Sequence, residues 1–190
     1  MINLIFRLFL TFNATSLIIV VYLIKSKTIF INKLHPLLAE LPHWVSYSIY
    51  FLLPVLLTYL SLLLSRFLSN DSIEFSDDYK NVPLIKEIEQ ANNAYLPSYL
   101  GYFFVALSIS FCSTLGYVFG ILFLFTFLSQ TLYFNPLFLV FGYHFYYLTT
   151  HRNIKIFIIT KQQLKDPEGL EFKELKRINN FTFIHKKEKL

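Results

Sequence analysis

Between Tyr99 and Tyr147 the chain runs for nearly 50 residues without a formal charge. A soluble domain needs charges on its surface every few residues, so an uncharged run of this length must face lipid or be buried. At about 20 residues per helical crossing it suffices for two passes of a bilayer. The rest of the sequence agrees: of 190 residues 55% are hydrophobic, 19% aromatic and only 15% charged, and the charges crowd into a few blocks. This composition describes an α-helical integral membrane protein and excludes an ordinary soluble domain. The lone Cys112 rules out an intrachain disulfide and argues against a thiolate metal site; it reads as a small packing residue.

Four spans are expected, over residues 8–24, 44–65, 98–128 and 136–150 of a bundle occupying 1–150. The first follows a single Arg7 and lacks the small-x-small cleavage site of a secretory leader, so it reads as a retained helix. Its Thr11, Asn13, Thr15 and Ser16 are too polar for lipid and should bond to a neighbouring helix or to their own backbone. Asn13-Ala14-Thr15 matches a glycosylation acceptor only formally, because it lies within the span. In the second span Trp44, Tyr47 and Tyr50 form an interfacial aromatic belt, and Pro54 removes a backbone donor at mid-helix. Thr58, Ser61 and Ser65 share the Pro54 face and read as a helix contact, with a water-filled path as the lesser alternative.

The loop at 69–97 carries Asp71, Glu74, Asp77, Asp78, Glu87 and Glu89 against Lys80 and Lys86, in no ligand spacing, and so reads as a solvated cytoplasmic face. Within it, Pro83 can open a short helix over LIKEIEQANNAY. The uncharged run divides best at SQTLYFNP, where Asn135 can cap and Pro136 can begin the last span. Before that break, Ser108, Cys112, Gly116 and Gly120 recur every four residues. Such a small-residue face suits a tight helix crossing, within one subunit or between copies.

The tail at 151–190 holds ten Lys or Arg against five acids, which by the positive-inside rule places the C-terminus in the cytoplasm. Lys25, Lys27 and Lys33 in the first loop pull the other way but carry the smaller bias. IKIFIIT and NFTFIH have the β-branched and aromatic character of strands, separated by the turn signal DPEG. Two or three short strands are marginal alone. The tail should therefore be a small cytoplasmic β-rich unit packed on the second loop, on other copies or on a partner. Lys186, Lys187 and Lys189 suit an orientation signal and lipid contact.

The layout, the GYHFYYLTT exit from the last span, the KIFIITKQQ strand and the terminal LKRINNFTFI together resemble the membrane subunit of the Kiwa anti-phage defence system. That resemblance implies a bacterial inner-membrane protein that assembles with copies of itself. It also implies recruitment of a cytoplasmic DNA-binding effector, with no direct nucleic-acid binding by this chain. Arg177, Ile178, Asn179, Asn180, Phe181, Thr182 and Phe183 would then build the docking face.

A membrane sensor or scaffold is favoured over two other classes. A pore that depolarises the membrane would draw on Thr58, Ser61 and Ser65, yet the spans carry no charge to guide ions. An enzyme is disfavoured because His144, among Tyr143, Tyr146 and Tyr147, is the sole classical acid-base group near a membrane end. A histidine there is ordinarily an interfacial anchor. No catalytic, cofactor or metal residues are expected.

Overall fold

The computed structural model describes residues 2–28, 42–71, 85–92, 94, 96–129, 135–150, 153–167, 170, 172 and 175–185. The Pro83 helix start, Glu74, Asp77, Asp78, most of the SQTLYFNP break, part of DPEG and the terminal Lys186, Lys187 and Lys189 lie outside them. The chain divides into two compact units: a helical unit of residues 8–60 and 96–135, and a sheet unit of residues 1–7, 61–95 and 136–190. Neither unit is continuous in sequence, and the division does not fall at 150.

In the helical unit lie α1 (Ile2–Lys25, its first residues belonging to the sheet unit), α2 (His43–Leu64, its last four residues belonging to the sheet unit), α3 (Leu96–Ser108) and α4 (Cys112–Ser129). Three of them, α1, α4, and α2 with its following 3-10 turn Ser65–Phe67, are long and apolar enough to cross a membrane. At 13 residues α3 covers only ~20 Å.

The expected single span over 98–128 is therefore two helices folded back on each other. At the junction the Ser108 hydroxyl bonds back to the Phe104 carbonyl at 2.8 Å, a competitor to main-chain bonding that bends helices. Burial then fixes the turn, because Ile109 packs with Tyr22 and Leu115. Lys25 donates to the Ile109 carbonyl at 2.6 Å, placing a cation on the C-terminal end of α3, where the helix dipole favours it. Thus one of the three loop lysines that opposed the positive-inside reading has a local structural job.

Contacts along α1 give the directions of the other helices. The Tyr99 hydroxyl donates to the Ala14 carbonyl and Ile109 lies at Lys25, so α3 runs parallel to α1. Leu115 meets Tyr22 and Phe119 lies edge-on to Phe12, so α4 returns antiparallel. Its Tyr117, Ile121, Leu124, Phe125 and Leu128 point outward. So large an apolar surface is compatible with contact with lipid.

The sheet unit corrects the expected fourth span. Residues 136–150 form a single turn of helix, α5 (Leu137–Val140), and then strand β3 (His144–Thr150). As a helix this segment would reach only about 22 Å. Gly142, at φ +74°, makes the turn between them. Five more strands join β3: β1 (Asn70–Asp71), β2 (Ile85–Gln90), β4 (Lys155–Thr160), β5 (Leu175–Arg177) and β6 (Thr182–His185). The order is β1-β5-β6-β4-β3-β2, antiparallel except for the β4/β6 pair.

The second loop thus supplies both edges, as one of the three expected modes of packing anticipated. IKEIEQ is a strand there and not a helix. One face buries Tyr146, Leu148, Ile156, Ile158 and Phe183 beneath Leu164 and Phe172 from the following loop. On the other, Phe138 of α5 meets Phe145 edge-on, and Phe145 stacks on Phe157 at 5.8 Å. Because both faces are covered, β4 reads as a continuous apolar run without alternation.

Candidate functional site

The motif that carries the resemblance forms the β5–β6 hairpin. Arg177 pairs with Phe183 across the antiparallel ladder. The turn is chemically specified: the Ile178 and Asn179 amides both donate to the Thr182 carbonyl, at 3.0 and 3.2 Å, and Asn179 Oδ1 accepts from the Phe181 amide at 2.8 Å. That last bond is an Asx turn, the reason an asparagine suits this position. Outside the hairpin, the Phe181 carbonyl accepts from the Phe157 amide at 2.7 Å, continuing the ladder toward β4.

The seven residues divide by burial. Ile178, Thr182 and Phe183 lie inside the unit, so their part in the motif is to hold the hairpin together. Arg177 and Asn179 are partly covered, and only Asn180 and Phe181 stand exposed, Phe181 by 58%. Arg177 is fixed through its backbone, whose carbonyl accepts from Asn3 Nδ2 at 3.1 Å and whose amide donates to the Ser69 carbonyl at 3.0 Å. The start of α1 and the segment after α2 thus seat the hairpin. Asn3 gave no signal in the sequence, being one polar residue at the head of an apolar helix.

The packing residues also separate. Ser108 ends α3 and Cys112 begins α4, so they do not share one helix face with Gly116 and Gly120. Both glycines are exposed, and a Cβ built on either meets nothing within 4 Å. Thr58, Ser61 and Ser65 are each completely buried. The Thr58 hydroxyl lies 2.8 Å from the Asn13 carboxamide and accepts from Asn135 Nδ2 at 3.0 Å.

With its oxygen facing Thr58, the Asn13 amide accepts from that hydroxyl and from Asn135 while donating to the Pro54 carbonyl at 3.2 Å. This orientation satisfies both ends of the carboxamide. Thr15 and Ser16 bond to the α1 backbone, as expected of hydroxyls in an apolar setting.

His144 begins β3, its Nδ1 3.2 Å from Asn92 Nδ2, while Asn92 Oδ1 accepts from the Phe145 amide at 2.8 Å. Among the described residues no group of three His, Cys, Asp or Glu side chains converges as a metal site would require. On the β2/β3/β4 edge Lys155 reaches Glu89 at 2.7 Å and lies 4.3 Å from the centre of the Tyr147 ring. The hydrogen bond that Lys155 donates to Glu89 raises the Lys155 pKa, and burial raises that of Tyr147 against the opposing pull of Lys155. These are strand-edge contacts that close the sheet margin.

Neither the curated proteins nor the solved structures contain a match to the chain. A family model does match, that of the anti-phage protein KwaA, over residues 6–184, taking in both units and the whole hairpin up to Ile184; the chain belongs to that family of anti-phage proteins.

Proposed function

We propose that this anti-phage protein is a membrane scaffold and sensor whose helical unit anchors it in the bacterial inner membrane. Its sheet unit faces the cytoplasm and docks a DNA-binding effector of the same defence system. The observation that supports this reading is the hairpin at 177–183. Its buried residues and Asx turn fix the backbone, leaving Asn180 and an exposed Phe181 as a presented surface. A phenylalanine left in water at a rigid hairpin tip is the kind of aromatic anchor that protein interfaces bury. A tail serving only as an orientation signal needs none of this structure. In this reading the protein carries out no catalysis of its own and works as an assembly of copies.

The test is affinity purification of the tagged full chain from membranes that also contain the effector of its own system, with and without Phe181→Ser. The expected result is retention by the wild-type chain and loss by a variant that still inserts and unfolds normally. Equal retention by both, with phage resistance unchanged, would overturn the hairpin as the docking surface. A periplasmic phosphatase fused after Leu190 should be silent, and activity there would overturn the orientation.

A further inference from the structure

In the sheet unit one cation lies over the Tyr143 ring and a second, Arg66 at the end of α2, acts on the same tyrosine electrostatically. Arg66 lies in the 3-10 turn that directly follows the helix, between residues with apolar side chains exposed to the surroundings: Leu63, Leu64 and Phe67, the last by 70%. Tyr143 follows the Gly142 turn and is held edge-on against Phe138. The register that sets His144 opposite Thr160 carries the chain on to Lys161, whose ammonium lies 5.0 Å from the centre of the Tyr143 ring. Burial raises the Tyr143 pKa, and the nearby Arg66 guanidinium opposes that rise. Both cations are exposed, and among the described residues neither forms an ion pair. Val140, exposed on α5, adds a further apolar rim.

This combination has a chemical meaning at a bilayer surface. The end of a membrane-crossing helix sits at headgroup depth, where phenylalanine and leucine contact acyl chains while arginine and lysine reach phosphate. A guanidinium and an ammonium on one surface favour an anionic phospholipid headgroup over a zwitterionic one, whose own cationic group offsets its phosphate charge. A buried aromatic wall also restricts where the two cations can go.

We propose that Lys161, over the Tyr143 ring, and Arg66, at the end of α2, form a binding site for the phosphate of an anionic phospholipid headgroup. The site stands apart from the docking hairpin and requires only that α2 end at a membrane surface. It would couple the sheet unit to the lipid composition of the leaflet it faces.

The test uses the full chain in neutral detergent, titrated with fluorescent phosphatidylglycerol, with phosphatidylcholine and with inorganic phosphate. It compares wild type, Arg66→Gln, Lys161→Gln, the double variant and Lys165→Gln, the last neutralising an exposed cation of the same segment. Phosphatidylglycerol should bind more tightly than phosphatidylcholine. The double variant should weaken that binding roughly 25-fold, the product of about fivefold for each charge near a membrane surface. Either single variant should give part of the loss and Lys165→Gln little of it. Because the substituted side chains are exposed, unfolding in detergent without added lipid should be unchanged. Three results would each overturn the assignment: equal binding by wild type and double variant, equal loss in Lys165→Gln, or competition by millimolar inorganic phosphate as strong as by the lipid, which would make this a free-phosphate site.

Discussion

Replacing Asn13 by leucine should destabilise the helical unit, although it exchanges a polar side chain for an apolar one in an apolar setting. Asn13 is fully buried, and its carboxamide joins Thr58, Asn135 and the Pro54 carbonyl in one network. Leucine has similar bulk, so the loss is of hydrogen bonds and not of volume. Interhelical hydrogen bonds in membrane proteins are worth about 0.6 kcal/mol on average and up to roughly 1.7. A buried group left unsatisfied costs about 1 to 3 kcal/mol.

With Asn135 and Thr58 both losing a partner, the expected cost is about 2 kcal/mol, or roughly 4 to 8 °C in Tm for a chain of this length. Thr58→Val should cost a similar amount alone. The double variant should fall short of the sum by about 1 kcal/mol, because each single change already breaks the shared bond. Thermal unfolding in detergent, followed by circular dichroism across the four-member cycle, reads this directly. Strict additivity, or a stabilised Asn13→Leu, would refute the network.

Three further outcomes follow from the same structure. Ile158→Ala, at a fully buried position in the sheet core, should cost about 2 to 5 kcal/mol and open the sheet unit to limited proteolysis. Gly116→Leu should leave the stability of the single chain unchanged within about 0.5 kcal/mol, since nothing lies within 4 Å of the added Cβ. In the self-assembling reading it should reduce the particle size measured in detergent. Lys155 has its pKa raised by Glu89, so the contribution of the pair is fully present below the ordinary lysine value of 10.5 and is lost as pH rises through the elevated one. Stability between pH 7 and 9 should therefore carry no trend from this pair. Glu89→Gln should change stability by less than about 1 kcal/mol, because the pair is exposed.

The sequence by itself marked helices apolar and long enough to cross a membrane. Length and apolarity alone marked both ends of α2 and the C-terminal end of α1 to within a residue, because a helix in lipid must satisfy its backbone internally and needs a minimum run to cross, while α1 begins at Ile2, six residues before the expected start. The polar side chains of α1 were also legible as internal partners, since lipid offers them none. The strand character of IKIFIIT and NFTFIH came from β-branched and aromatic content, and both are strands.

Tertiary structure decided the rest. FGYHFYYLTT is as apolar as a membrane span because β3 is covered on both faces of the sheet, and composition cannot tell burial beneath side chains from burial in lipid. The break after Ser108 rests on Ile109 packing with Tyr22 and on Lys25 reaching its carbonyl, contacts between residues more than 80 positions apart. The small-residue periodicity ran straight through that break, which is why four residues in register along the chain do not share a face. In the hairpin, the motif RINNFTF was visible as folded. Which of its side chains face inward, and so which remain to meet a partner, was set by β4 and β5 on either side of β6, together with the head of α1. Pairing between strands drawn from three separate stretches of chain leaves no local trace in any of them, because the bonds that select the register are made only when those stretches meet.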